Sequence, residues 1–463
     1  MSDLRRKALG SGKTVSRKAQ SRASSAASSR ANSRTTSRAG SRAASRAGTD
    51  DEGGDLSDET NFRYDIKKSK KNYPNSKNFV PSLGSVDELA TLDDDDETSK
   101  GWQEELGDRM MEITERKKSS FAGREEAFAA YIRILSAKYA KEEIYSKKTD
   151  LIDSMVRSIK NGRTEKEGIL AAKALAITII TDPTEDLFHK LQTTLCRQIT
   201  DNASLPLKSL LIHTLGATTF YGGAALSETE EIMNFLLEII ESDGHSVGAG
   251  DDEGVVTAAL EEWGSLCTQL EDAEAITSSS IDALVDQLDS SEISVQIAAG
   301  ENIALLYEKS YTLAEEDELD DPNEHKKFIQ RYVPYPRHDN LLESLQRLSS
   351  GSKKHLSKRN KKTQHSAFAD ILHSVENPLK GPRYSEALDK NDRVRGSRMT
   401  VRVHSKGVLR VDRWWKLHRL QFLRRVLQGG FLNHWVENPV IFESLRYDAE
   451  TVAVVGTRGR LWI

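Results

Sequence analysis

Cysteine is scarce in this chain: Cys196 and Cys267 are the two present in 463 residues. Each sits in an apolar helical context, which predicts two buried free thiols in a reducing compartment and excludes a disulfide framework. No apolar run reaches the roughly 18 residues that a spanning helix needs. The opening "MSDLRRKALGSGKTVSRK" lacks the apolar core of a secretory signal. Both absences predict a soluble intracellular protein, cytoplasmic or nuclear, with no membrane partner. Catalytic signatures are missing as well: the chain has no HExxH, paired CxxC, GxSxG or glycine-rich dinucleotide turn. "GSGKT" (10–14) has Lys7 where a phosphate loop needs its first glycine, with neither a strand before it nor an apolar helix after it. His213 lies on an apolar helix and reads as a satisfied core residue. His338, His355, His365, His373, His404, His418 and His434 show no metal-ligand spacing. The expectation is a non-enzyme with no cofactor, metal or small-molecule substrate.

Charge is abundant and unevenly placed. Hydrophobic residues make up 37% and charged residues 30% of the chain, so part of it is expected to remain unfolded. Residues 1–100 carry that expectation: a Ser/Arg/Ala-rich stretch of low complexity, then acidic runs such as "DDDDE". Met1–Gly48 holds twelve Lys/Arg against one acid, and Ser349–Arg425 holds twenty against six, while the whole chain is -5. Basic ends around an acidic middle point to polyanion contact at the ends. Ser37, Ser41 and Ser45 each have an arginine three residues earlier. They are candidate phosphorylation sites that would reverse the charge of the tail.

From Trp102 to Leu348 the pattern becomes helical. "REEAFAAYIRILSAKYA" places Phe128, Ile132, Leu135 and Tyr139 on one face. Similar segments follow about every 20 residues, separated by short turns, with no β-branched strand runs. Two helices per roughly 40 residues is the period of HEAT or armadillo repeats. The predicted architecture is all-α: an armadillo/HEAT-like α-solenoid over 101–348, whose surface would take protein partners. Before it stands the disordered tail 1–100. After it come a basic linker 349–365, a small basic module 366–446 of helices plus a β-hairpin, and an unassigned tail 447–463.

The linker is rich in cations: Lys353, Lys354, Lys358, Arg359, Lys361 and Lys362. In the module, "RMTVRVHSKGVLRVDRWW" reads as a hairpin turning through "SKG", and a helix runs from Val411 to Leu427 and stops at Gly429-Gly430. Three of the six tryptophans fall between Val411 and Pro439. On a helical wheel Val411, Trp415, Leu420, Phe422, Leu423, Val426 and Leu427 share one side. Arg410, Arg413, Arg424, Arg425 and His418 share the other, with Trp414 and Leu417 among them. This split predicts Trp415 as an anchor in the core and Trp414 beside arginines on a surface suited to RNA phosphates and bases.

"KKTQHSAFADILHSVEN" and "MTVRVHSKGVLRVDRWWKLHRLQFLRRVLQGGFLNHWVENPVIFESL" resemble the C-terminal domain of the interferon-related developmental regulator family. Ser366, Phe368, Asp370, Ile371 and Leu372 match its first helix; Asp412, Trp414, Phe422, Val426, Leu427, Gly429 and Gly430 match the second element. The helical body, notably "YIRILSAKYAKEEIYSKKTDLIDSMVRSIKNGRTEKEGILAAKALAITII", is similar to the family's armadillo-like domain. The resemblance covers Gly101 to Arg446, in a fungal-type member with a longer Ser/Arg tail. It implies one of two roles. In the first, the protein is a ribosome- or RNA-associated translational regulator. Lys353, Lys354, Lys358, Arg359, Lys361 and Lys362 would neutralise phosphate, and Arg410, Arg413, Trp414, Arg424 and Arg425 would make the closer contacts. In the alternative, it is a nuclear transcriptional co-regulator whose solenoid holds protein partners and whose basic cluster serves nuclear import.

Overall fold

The computed structural model describes residues 101–445 apart from 116–119, 316–317, 319–326, 352–356, 389–391, 393 and 404–406. Ser37, Ser41, Ser45, Lys353, Lys354 and the tails 1–100 and 447–463 therefore lie outside the described residues.

The helices begin where the sequence signals them. Ser120, Thr164, Ser204, Asp252 and Ser357 stand in extended backbone, and each side-chain oxygen accepts from the amide three residues on. This satisfies one of the orphan donors that open every helix. The helices in order are α1 (Gly101–Thr114), α2 (Phe121–Ala137), the short α3 (Lys141–Tyr145), α4 (Lys148–Asn161), α5 (Glu165–Thr181), α6 (Leu187–Asp201), α7 (Leu205–Tyr221), α8 (Leu226–Glu241), α9 (Glu253–Cys267), α10 (Glu274–Asp286) and α11 (Ile293–Lys309). A hairpin of β1 (Tyr311–Leu313) and β2 (Phe328–Gln330) intervenes before α12 (His338–Ser350) and α13 (Lys358–Glu376).

Each even step is a helical hairpin: α1 on α2, α4 on α5, α6 on α7, α8 on α9, α10 on α11 and α12 on α13. Within that ladder α2, α5, α7, α9, α11 and α13 stack side by side as a first row, and their partners form a second. This is the two-row all-α solenoid that the roughly 40-residue period predicts. The two rows differ in a way their sequences explain. Second-row helices bury one stripe, such as Leu341, Leu345 and Leu348 in α12. The central first-row helices are buried nearly all round over much of their length: in α5 every residue from Ala171 to Thr181 except Lys173, in α9 Ala258 to Cys267 except Glu261, and in α11 Ala298 to Glu308 except Glu301. A helix apolar on all sides must be covered on both.

The cover comes from the C-terminus. After α13 the chain forms two antiparallel hairpins, β3 (Tyr384–Leu388) with β4 (Val394–Ser397) and β5 (Thr400–Val403) with β6 (Gly407–Arg410). It then folds back as α14 (Trp414–Leu427), α15 (Phe431–Glu437) and α16 (Pro439–Ser444). These last helices form a strap that crosses the first row in reverse chain order. Glu308 of α11 meets the start of α14. Arg419 donates to Thr268 Oγ1 and O after α9, at 2.8 and 3.0 Å. Phe422 packs on Phe220 and Tyr221 of α7, both at 6.0 Å between ring centres. Asn438 donates to Ile180 O of α5 at 3.1 Å, and His434 and Asn433 reach Leu135 O and Ala137 O at the end of α2, at 2.7 and 2.9 Å.

The structure thus redraws the expected boundaries. Residues 358–365, read as linker, are the first turns of α13, which completes the row, and the segment after it lies on the solenoid instead of forming a separate module. The hairpin through "SKG" is present, with Val401 opposite Leu409. The β1–β2 and β3–β4 hairpins have no counterpart in the sequence reading.

Polar groups fasten the strap at three places. Arg413, the residue before α14, offers no side-chain cap. Glu308 supplies one instead, accepting from the amides of Trp414 at 2.8 Å and Trp415 at 3.2 Å, where the positive end of the helix favours a carboxylate. Gln421 Nε2 donates to Glu301 at 3.2 Å. The His418 ring donates to the backbone O of Glu301 at 3.3 Å. Burial pushes the Glu308 and Glu301 carboxyls up to about 7, and pushes the His418 imidazole down to about 4. Tight approach completes the seam: a Cβ on Gly264 would lie 2.1 Å from Asn302 Oδ1 and 2.6 Å from the His418 ring, and one on Gly430 would lie 1.4 Å from Ser136 O.

Two predictions follow from these contacts. Gly430→Ala should lower stability by about 3 kcal/mol, as overpacking against backbone does. Gly107→Ala, in mid-helix with nothing within 4 Å, should raise it by up to about 1 kcal/mol; thermal melts of both variants check the pair. Linkage gives the second. Glu301 and Glu308 hold protons in the folded state that the unfolded chain releases from an ordinary 4.5, so their stabilisation is whole below that value and is lost as pH rises through about 7. His418 acts in the opposite sense, losing stabilisation as pH falls from 6.5 through about 4. Glu308→Gln, which keeps an acceptor for the cap but cannot ionise, should show a smaller fall in Tm between pH 5.5 and 7.5 than the wild type.

Candidate nucleic-acid interface

The face expected to touch RNA on α14 is largely turned inward. Trp414 is 2% exposed and Trp415 is the half-buried one, stacked with Arg419 at 5.1 Å and Lys416 at 5.4 Å. The roles assigned to the two tryptophans are therefore exchanged. Arg425, expected at phosphate, points between Glu261 at 3.5 Å and Glu262 at 2.8 Å on α9. Burial works against its charge, but the two carboxylates and the bond to Glu262 more than offset that, and the guanidinium is held above its ordinary value. Glu262 also pairs with His213 Nδ1 at 2.8 Å, a partner that satisfies this half-buried histidine. The physical reason for both corrections is the same. The wheel places Trp414 with the arginines, and part of that side meets carboxylates of α9 and α11 more than 100 residues earlier, so Trp414 and His418 are buried along with Leu420, Phe422 and Leu423 of the apolar side, while Arg424 stays exposed.

The other proposed contacts divide. Arg413 is half-buried, donates to Leu379 O at 3.2 Å and lies over the Phe328 ring at 5.1 Å. Arg424 is exposed, with its guanidinium 5.9 Å from the Phe431 ring centre. Arg410 is exposed at the end of β6. In the first turns of α13, Arg359 and Lys362 are exposed and Lys361 is half-buried; Lys358 opens the helix.

Arg410 has neighbours that the sequence reading did not single out. Arg383 and Arg398 are exposed where the two hairpins join: Arg398 N donates to Arg383 O at 3.1 Å, and Thr400, two residues on, pairs with Arg410. Arg395 is exposed on β4. Below them lies Asp370 of α13. Burial raises its carboxyl, against the lowering charges of Arg383, His373 and Arg398 and a hydrogen bond donated by the Arg383 backbone amide. This arginine group and the first turn of α13 are two basic patches on one helix, about 16 Å apart between Arg359 and Asp370 at the helical rise. The signal for the arginine group was present in the sequence as isolated arginines in "GPRYSEALDKNDRVRGSRM", but it has meaning only once β3 and β4 pair. Elsewhere the surface has the opposite sign. A cleft of about 640 Å³ between the α8–α9 loop, α10 and the start of α11 is lined by carboxylates including Asp243, Asp251, Asp252, Asp282, Asp286 and Glu292, and it would repel a polyanion. Among the described residues no cluster of His, Cys, Asp and Glu is placed to hold a metal ion, and no helix is long and apolar enough to cross a membrane.

Comparison with known proteins fits this architecture. A family model described as interferon-related developmental regulator matches residues 78–376, a range that holds the whole first row and stops at the end of α13. An uncharacterised protein of Schizosaccharomyces pombe is 30% identical over 374 residues, covering 79% of this chain and 78% of that protein. Interferon-related developmental regulator 2 of Mus musculus is 24% identical over 63% of each chain, and interferon-related developmental regulator 1 of Homo sapiens is 25% identical over 64% of each. The chain thus spans somewhat less than two thirds of the length of these mammalian relatives. With more than half of its length matched by the family model, the chain belongs to the interferon-related developmental regulator family.

Proposed function

We propose that this protein is a non-enzymatic regulator that binds structured RNA, of the kind a ribosome presents, through the basic patches at the two ends of α13. It would work in the cytoplasm, the nucleus or both. The observation that carries this reading is the exposed group Arg383, Arg395, Arg398 and Arg410 at the hairpins, backed by Arg359, Lys361 and Lys362. Cations on two projecting hairpins can follow an irregular phosphate path, and arginine adds planar stacking on bases. Family membership supports a regulatory role. The alternative, a scaffold holding protein partners on the solenoid, has less support on the first row, because α14–α16 cover that face from α11 to α2.

Charge reversal of Arg383, Arg395, Arg398 and Arg410 together should remove co-sedimentation with ribosomes and weaken binding to a ribosomal RNA fragment at least tenfold. The slope of log affinity against log salt should fall by about one per arginine lost. The same number of reversals at Lys166, Lys173, Lys190 and Arg197 should leave binding within about twofold. Equal binding by wild type and the hairpin variant would reject this reading.

A further inference from the structure

The strap is the part of the molecule whose chemistry is hardest to reconcile with a permanent interior. Its seam with the first row buries Glu262, Glu308 and His418 and half-buries Arg425 and Glu301. The seam also buries polar atoms that have no protein partner among the described residues: Glu262 Oε2, Asn302 Oδ1, Arg425 Nε, Trp414 Nε1 and His434 Nδ1. Each such atom left unmatched in the dry state disfavours closure; within the row itself Trp263 Nε1 is a further one. Releasing the strap returns all of them to water, so the open state recovers much of what closure spends on desolvation.

The row, in contrast, does not need the strap for its own connections. Every first-row helix packs on its second-row partner and on its row neighbours in chain order, and its side-chain caps are local. The strap joins the row only through the two short hairpins, each paired to itself. Its first turn is capped by a residue of the row, Glu308, and not by its own Arg413. These are the features of a helical ligand seated in a groove, with an aromatic anchor at Trp414 and an ion pair at Arg425, tethered to its own receptor.

We propose that α14–α16 is a displaceable self-ligand. The strap opens as one unit while both rows stay folded, and the first row from α5 to α11 is then a docking groove for an amphipathic helix that carries an aromatic residue near its start and an arginine on the same face. In the closed state the protein blocks its own groove. This inference does not depend on the RNA reading, whose arginines lie on the hairpins.

Hydrogen exchange on the full-length wild-type protein is the first test. Amides of His418–Leu423 in α14 and of α16 should exchange with a common opening, at least tenfold faster than the central amides of α7 and α9. Exchange of α14 at the same rate as α7 and α9 would overturn the proposal, because the strap would then belong to the global unfolding unit. The second test adds a labelled synthetic peptide, residues 411–445, to the full chain. One saturable site per chain is expected, and Arg425→Ala should tighten peptide binding at least tenfold by weakening the resident strap. Rapid exchange of the strap without any peptide binding to the wild type would reject the groove as a helix site, whether or not the variant folds.

Discussion

Three carboxylates set the terms of this fold. Glu262, Glu301 and Glu308 project from α9 and α11 on the side of the first row that would otherwise be a continuous apolar face. An apolar face of that extent needs a cover, and carboxylates within it need partners. A single helix meets both needs because it brings leucines and aromatics for the face together with two backbone amides, Gln421 and Arg425 for the charges. Without that match the strap would have no fixed register on the row. With it, Trp414 is placed at Glu308 and Arg425 at Glu262, three turns apart, and the helix between them has no freedom to rotate.

The requirement explains what could and could not be read in the sequence. The repeated helices, their period and their start signals were legible because they depend on neighbours three to forty residues away: Ser120, Thr164, Ser204, Asp252 and Ser357 each act within one turn. The all-round apolar character of "ILAAKALAITII" and "VQIAAGENIALL" also carried the information that something covers the first row, although not what. The tryptophan pair was misassigned because periodicity ranks residues by polarity, and here part of the polar side, with Trp414 and His418, packs on the row together with the apolar side. Only the distant Glu261, Glu262 and Glu308 decide that, and no local pattern contains them. The start of α13 was missed for a related reason: its first turns are basic and expose little apolar surface, so the helix looks like a connector until Gln364 and Phe368 reach the core.

The basic surface changes meaning accordingly. Cations of the C-terminal region fall into two populations that the composition cannot separate. Arg419 and Arg425 are structural, consumed by the row, whereas Arg359, Lys362, Arg383, Arg395, Arg398 and Arg410 face solvent. A net excess of about fourteen positive charges over Ser349–Arg425 therefore overstates what a phosphate backbone would meet. The family relationship adds that the regulator name attaches to residues 78–376, the range of the family model, which holds the row and stops at the end of α13.

The reverse path of the strap has a consequence for how the molecule holds together. A solenoid built of hairpins that touch only adjacent hairpins behaves as a one-dimensional array, and its ends fray independently. Here a contact at Gly430 and His434 fixes the end of the second helix, while Glu308 fixes the same segment about 170 residues later in the chain. The closed strap therefore couples the first repeat to the later ones directly, without passing through those between. It can do so only after α14–α16 have been synthesised, so a nascent chain that ends at α13 is an array without this coupling.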